Sequence, residues 1–186
     1  MNILKPIDRF LNSITMYRLT LYFLIVLVLA AVIGGFFEFI PYSPQDILIS
    51  CTIAVVFCFF TNFAFAKIFK VSTNIESVFI TAFILVLIIP VKFPQNVTFF
   101  IGASILAMAS KYILNIKKRH IFNPAAIAIV VFSLIFPGQI ASWWVGNLFM
   151  FPLIIIGAFL LVRKTRREYM VYSFLGVYVL LTSFTS

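Results

Sequence analysis

Glu76-Ser77-Val78-Phe79-Ile80-Thr81-Ala82-Phe83-Ile84-Leu85-Val86-Leu87-Ile88-Ile89 and Pro124-Ala125-Ala126-Ile127-Ala128-Ile129-Val130-Val131-Phe132-Ser133-Leu134-Ile135-Phe136 are apolar runs of 14 and 13 residues. At ~1.5 Å of rise per residue a helix of this length reaches only ~20 Å, while a bilayer core of ~30 Å needs about 20 residues. Both sit among longer apolar segments, follow polar helix-starting residues, and end beside a proline, Pro90 or Pro137. Short, interrupted segments of this kind point to a site buried at membrane depth.

Working outward, the composition fits only a membrane protein. Hydrophobic residues make up 63% of the 186 and charged residues 10%, which excludes a water-soluble core-and-shell domain. The net charge of +9 lies in short clusters between apolar runs, a mark of membrane topology rather than of nucleic-acid binding. The first apolar run, Leu19 to Ile40, is long enough to span, and no cleavage site follows it. Cys51 and Cys58 share one helix face about 10 Å apart along the axis, too far to bridge, and with no nearby ligand they read as packing residues.

The fold class expected is all-α: a polytopic membrane protein of about seven segments, two of them half-helices. Residues 1–18 form an amphipathic interfacial lead-in, and residues 19–186 the transmembrane domain. The segments are Leu19–Ile40, Asp46–Ala66, Glu76–Ile89, Asn96–Leu114, Pro124–Phe136, Val145–Val162 and Glu168–Thr185. All must be helical, because lipid offers backbone polar groups no partner. With a cytoplasmic N-terminus, every basic residue of the 14 except Lys92 falls on the cytoplasmic side. Both half-helices then begin at that side. Trp143 and Trp144 read as an interfacial anchor, and Lys111 as a side chain that snorkels to the interface.

Asn123-Pro124 sets the start of the fifth segment, since Asn caps and Pro suits the first helical position. Thr73 and Glu76 have the spacing of a capping box ahead of the third. Two helix starts facing one compartment offer unpaired N–H groups and partial positive charge, suited to an anion, a carbonyl or an electron-rich ring edge. Ser77 and Thr81, four apart, add hydroxyls on one face. Plain structural capping with back-bonded hydroxyls is the competing reading. His120 stands beside basic residues and reads as solvated. No carboxylate lies mid-membrane, and no phosphate loop, nucleophile elbow or metal-ligand pattern is present.

Three stretches carry a family resemblance. Ile75-Glu76-Ser77-Val78-Phe79-Ile80-Thr81-Ala82, running on to Pro90, resembles the third segment of the Nqr2/RnfD membrane subunits. Ser110-Lys111 followed by His120-Ile121-Phe122-Asn123-Pro124-Ala125-Ala126 resembles that family's signature before its short fifth segment. Trp143-Trp144-Val145-Gly146 with Val162-Arg163-Lys164-Thr165-Arg166-Arg167 is similar to variant RnfD-like proteins. The likeness runs from about residue 70 to 180.

The resemblance implies a subunit of an ion-translocating oxidoreductase, an Rnf or Na⁺-translocating NADH:quinone reductase type of electron transport complex, in a bacterial or archaeal inner membrane. It implies two inverted five-segment repeats, distantly similar to urea channels, of which residues 19–140 would be the first and 145–186 the start of the second. It also implies a non-covalent flavin, riboflavin or FMN, near the Asn-Pro-Ala helix start. On that basis Asn123 is the candidate flavin contact and His120 its neighbour; Ser77 and Thr81 come from the helix geometry. Other membrane subunits, the lipid bilayer, and a quinone or flavoprotein donor are the partners implied. Family members carry covalent FMN on the Thr of a Ser-Gly-Ala-Thr motif. Here the region reads Ser142-Trp143-Trp144-Val145-Gly146-Asn147, so covalent FMN is not expected. The alternative function is a channel or carrier for a small polar solute such as urea or a vitamin, with a purely structural assembly subunit as a third reading.

Overall fold

Residues 5–90, 92–116, 119–120, 122–136 and 142–185 are described by a computed structural model of the chain. Among them are eight helices: α1 (Lys5–Ser13), α2 (Met16–Phe36), α3 (Pro44–Phe69), α4 (Ile75–Ile88), α5 (Val97–Ile113), α6 (Pro124–Ile135), α7 (Phe151–Thr165) and α8 (Glu168–Thr185). A two-residue antiparallel ladder, β1 (Asn115–Ile116) with β2 (Arg119–His120), joins α5 to α6 and pairs Asn115 with His120.

Local chemistry explains the helix limits. Thr15 accepts from the Arg18 N–H and starts α2, so that segment begins three residues before the Leu19 expected. Ser43 caps α3 by accepting from the Asp46 N–H, Pro44 occupies its first turn, and Lys70 closes it at φ 52°. Asn123 accepts from the Ala125 N–H at 3.0 Å ahead of Pro124, which starts α6 where the sequence places it. Helices α2 and α3, with 21 and 26 residues, are long and apolar enough to cross a membrane. Helix α4 has 14 residues and α6 has 12.

Helix α4 is held between α2, α3 and α5, and α6 lies along α5. The main core gathers Ala54, Cys58, Leu85, Phe100, Ala103 and Met108, all with no exposed surface. Small residues let these helices approach closely, the packing rule of apolar bundles. Gly102 is one such point, because a Cβ there would fall on the Phe132 ring of α6. A second core forms where α2 meets the start of α7, around Leu27, Ile47, Leu87 and Met150. Helix α8 contacts α7 and is exposed along its length.

Two expectations are corrected here. The cap of α4 is Asn74, whose Oδ1 accepts from the Glu76 N–H at 3.0 Å. Thr73 is not that cap, because the shorter reach of the Asn turn closes the first helical turn one residue later. Helix α7 starts at Phe151 rather than Val145. Asn147 Oδ1 accepts from the Met150 N–H and shapes a turn just before it. Trp144 packs into the bundle rather than standing free: its Nε1 donates to the Val86 carbonyl at 3.0 Å and its ring meets Tyr42 edge-on. A buried indole N–H takes a partner where one is within reach.

Candidate functional site

Lys111 lies one turn inside the C-terminal end of α5 and is only 7% exposed. Its chain does not run out to the interface. It folds inward across the first turn of α4, where Nζ donates to the Ser77 carbonyl at 2.9 Å and to Ser77 Oγ at 3.0 Å. The snorkelling expectation therefore fails, for a physical reason. The α4 start presents neutral oxygen acceptors within reach.

The same end of the bundle collects four other elements. Arg18 at the start of α2 pairs with Glu76 at 3.0 Å. Tyr112, beside Lys111, donates its hydroxyl to Asn62 Oδ1 at 2.8 Å, across to α3. Its ring stacks with Phe69 at 5.8 Å and leans on Phe65. Asn115 of β1 closes the rim and, through its ladder partner His120, leads toward the start of α6. Asn62, Phe69, Tyr112 and Asn115 join Lys111 and the chain leading into α4 to line a cleft of about 450 Å³ at the N-terminal end of α4. Its floor holds Lys111, Ser77 and Asn62; its wall is Phe69, Tyr112 and Tyr17; its rim is Ser72, Thr73 and Asn74.

The electrostatics follow from this arrangement. The α4 dipole points its positive end into the cleft, and a buried ammonium stands on the same spot. Part of that end is satisfied locally, since Asn74 takes the Glu76 and Ser77 N–H groups. What remains is field and side-chain donors, a surface matched to negative or electron-rich groups.

Of the four residues singled out in the sequence, the structure brings one into the cleft. Ser77 lines it and offers Oγ to Lys111. Thr81 is buried, and its hydroxyl back-bonds to the Ser77 carbonyl at 2.9 Å. Asn123 is exposed and its Oδ1 caps its own helix. His120 contributes backbone to β2, and its imidazole lies outside the described side chains. Cys51 and Cys58 are both free thiols, Cys58 fully buried against the Ser104 carbonyl. Among the described residues no three metal-ligating side chains gather.

Sequence reasoning missed Lys111, Asn62 and Tyr112 as site residues. The signal available was a polar Asn within the apolar stretch of α3 and a Lys short of the end of α5. Neither residue's partner is within one helix turn, so local patterning does not reveal the meeting. A sequence model of the NQR2, RnfD, RnfE family matches residues 11–148, a span that includes the whole cleft. No curated protein and no solved structure matches the chain.

Proposed function

The chain belongs to the NQR2, RnfD, RnfE family and is a membrane subunit of the Rnf/Nqr type; from that premise we propose that it holds a flavin non-covalently in the cleft at the start of α4. The observation that carries this reading is the pairing of an aromatic wall, Phe69 and Tyr112, with a donor floor, Lys111, Ser77 and Asn62. An isoalloxazine has two flat faces for the wall and a polar, electron-rich edge for the floor. The cleft volume of about 450 Å³ suits a ring system of that size. When bound, the flavin would supply the electron-carrying chemistry; the protein supplies position and field. Lys111 and Asn62 orient the polar edge, and the α4 dipole lies along it. Asn123 acts by fixing the start of α6 rather than by touching the ring.

The rest of the reading follows the charge pattern. The chain is multi-pass in a bacterial or archaeal inner membrane, with its N-terminus and the cleft mouth on the basic, cytoplasmic side. Other membrane subunits assemble with it, and a flavoprotein or quinone exchanges electrons with the bound ring. The region Ser142 to Asn147 lacks the attachment Thr, so the flavin is released on denaturation.

The test is purification in mild detergent followed by an absorbance spectrum before and after denaturation. Flavin that co-purifies and is then freed supports the proposal. No flavin overturns it, and fluorescence that stays with the denatured chain overturns the non-covalent form. A carrier for a small polar solute would instead need a path past Leu85, Phe100 and Met108, each with no exposed surface. Solute flux into liposomes without a redox partner would favour that reading.

A further inference from the structure

Lys111 is a buried cation for which the described residues provide no counter-charge. The chain has five side-chain carboxylates. Glu76 pairs with Arg18 and Asp8 with Arg163. Asp46 lies in the first turn of α3, Glu38 in the α2–α3 connection and Glu168 at the start of α8, none of them lining the cleft. Among the described residues no ion pair reaches Lys111. Two of its three N–H groups go to neutral oxygens of Ser77, and the third has no acceptor among the described residues.

A second group shares this state. Asn62 is 8% exposed, and its Oδ1 is taken by the Tyr112 hydroxyl. That bond occupies the carboxamide oxygen, and the NH₂ of this cleft-lining residue has no acceptor among the described residues. An intramembrane charge marks a site with a partner to be named. Both groups keep donor capacity beyond their printed bonds, and both belong to residues more than nine-tenths buried that line one cleft.

We propose that this cleft binds a phosphate ester, its anionic oxygens on Lys111 Nζ and Asn62 Nδ2 and its organic body against Phe69 and Tyr112. A phosphate fits better than a carboxylate because its several oxygens can serve donors carried by separate helices, with lysine acting as the point charge. The positive end of α4 adds to the same preference. Lys70 stands exposed in the connection just beyond Phe69, next to the cleft rim, and favours approach of an anion. Two sources present this chemistry, a flavin mononucleotide and the headgroup of an anionic phospholipid. The first rests on the flavin reading above; the second does not.

The experiment uses the full chain in nanodiscs of phosphatidylcholine. Equilibrium dialysis measures FMN, riboflavin and inorganic phosphate, and native mass spectrometry measures retained phosphatidylglycerol. Lys111→Met and Asn62→Asp are compared with Lys111→Arg. Asn62→Asp keeps the Tyr112 bond and the residue's size while placing a carboxylate beside Lys111, so it decides the matter if Lys111→Met does not fold. Loss of the charge-assisted contact should weaken binding about 10- to 100-fold, with Lys111→Arg much closer to wild type. FMN bound in preference to riboflavin, and losing that preference in both variants, supports a flavin phosphate. Phosphatidylglycerol retained by wild type and lost from both, with the two flavins equal, supports a lipid headgroup. Riboflavin bound as well as FMN, with no lipid retention, overturns the phosphate site and leaves the flavin reading standing. Wild type and both variants binding phosphate, FMN and phosphatidylglycerol alike also overturns it.

Discussion

The Lys111 ammonium donates to both oxygens of Ser77, carbonyl and hydroxyl, at 2.9 and 3.0 Å, and so fastens the end of α5 to the start of α4. Those residues are 34 positions apart. The contact sets how the short helix sits, but it also holds a charge away from water. Desolvating an ion costs several kcal/mol, and neutral acceptors return only part of it. Replacing such a charge by an apolar side chain of similar length is therefore often neutral or stabilising. Lys111→Met is expected to leave thermal stability in detergent within about 1 kcal/mol of wild type or to raise it. Lys111→Ala, which removes the packed stem as well, should lose about 2 kcal/mol or more. Unfolding midpoints of the three proteins decide this, and a Met variant as unstable as the Ala variant would contradict it.

The α5–α6 interface turns on Gly102. A side-chain carbon at that position would land on the Phe132 ring, itself edge-on to Phe99 at 5.8 Å. The ring lies between two packed helices, so relief requires moving α6. Gly102→Ala should destabilise by about 1–3 kcal/mol, the usual range for overpacking a filled core. The double variant with Phe132→Leu should recover part of that loss. Measured additivity of the two changes, with no recovery, would show that Phe132 is not the obstacle.

These two sites show what the sequence reveals and what it hides. The start at Pro124 is legible because cap and proline act on their own helix within one turn, whereas α3 begins at Pro44, two residues before the Asp46 expected. The length of α4 is legible at 14 residues, although the helix runs Ile75–Ile88, one residue earlier than expected, and is capped by Asn74 rather than Thr73. The inward turn of Lys111, the amide of Asn62 and the indole bond of Trp144 depend on which helices become neighbours. A lysine near a helix end reads as a snorkelling residue until α4 is seen to begin beside it. The residues 145–150 read as a continuation of α7 because they are apolar, yet Asn147 diverts the chain through its own side chain.

Acid should loosen the N-terminal helix. Asp8 of α1 accepts from Arg163 Nε at 2.7 Å and Nη2 at 2.8 Å. Chiefly through that hydrogen bond, its carboxyl is held below the ordinary value of 3.8. A carboxyl depressed in the folded state contributes stability that is present above its unfolded value. That contribution is lost as pH falls through the folded one. The pair is exposed to solvent, so salt should weaken it as well. Amide hydrogen exchange in α1, compared with Asp8→Asn at each pH, should show extra protection in wild type near neutrality. The two proteins should converge as pH falls through the lowered folded-state value and the carboxylate is protonated. A difference that persists unchanged into acid would exclude this origin.

The last expectation separates the two short helices as sites of flavin retention. Resemblance points to Asn123 at the start of α6, whereas the cleft opens at the start of α4. Asn123 Oδ1 is engaged by the Ala125 N–H at 3.0 Å. Its loss in Asn123→Ala is expected to cost about 1 kcal/mol of helix stability. Flavin bound in the cleft would feel this only weakly. Ser77→Val removes a hydroxyl from the cleft floor and the second acceptor of Lys111, leaving the Ser77 backbone contact in place. Flavin content after gel filtration should therefore fall clearly in Ser77→Val and stay near wild type in Asn123→Ala, while the thermal midpoint falls in the latter. The reverse pattern, flavin lost from Asn123→Ala alone, would move the ring from α4 to α6. It would then be the end of α6, rather than the Lys111 floor, that meets the ring's polar edge.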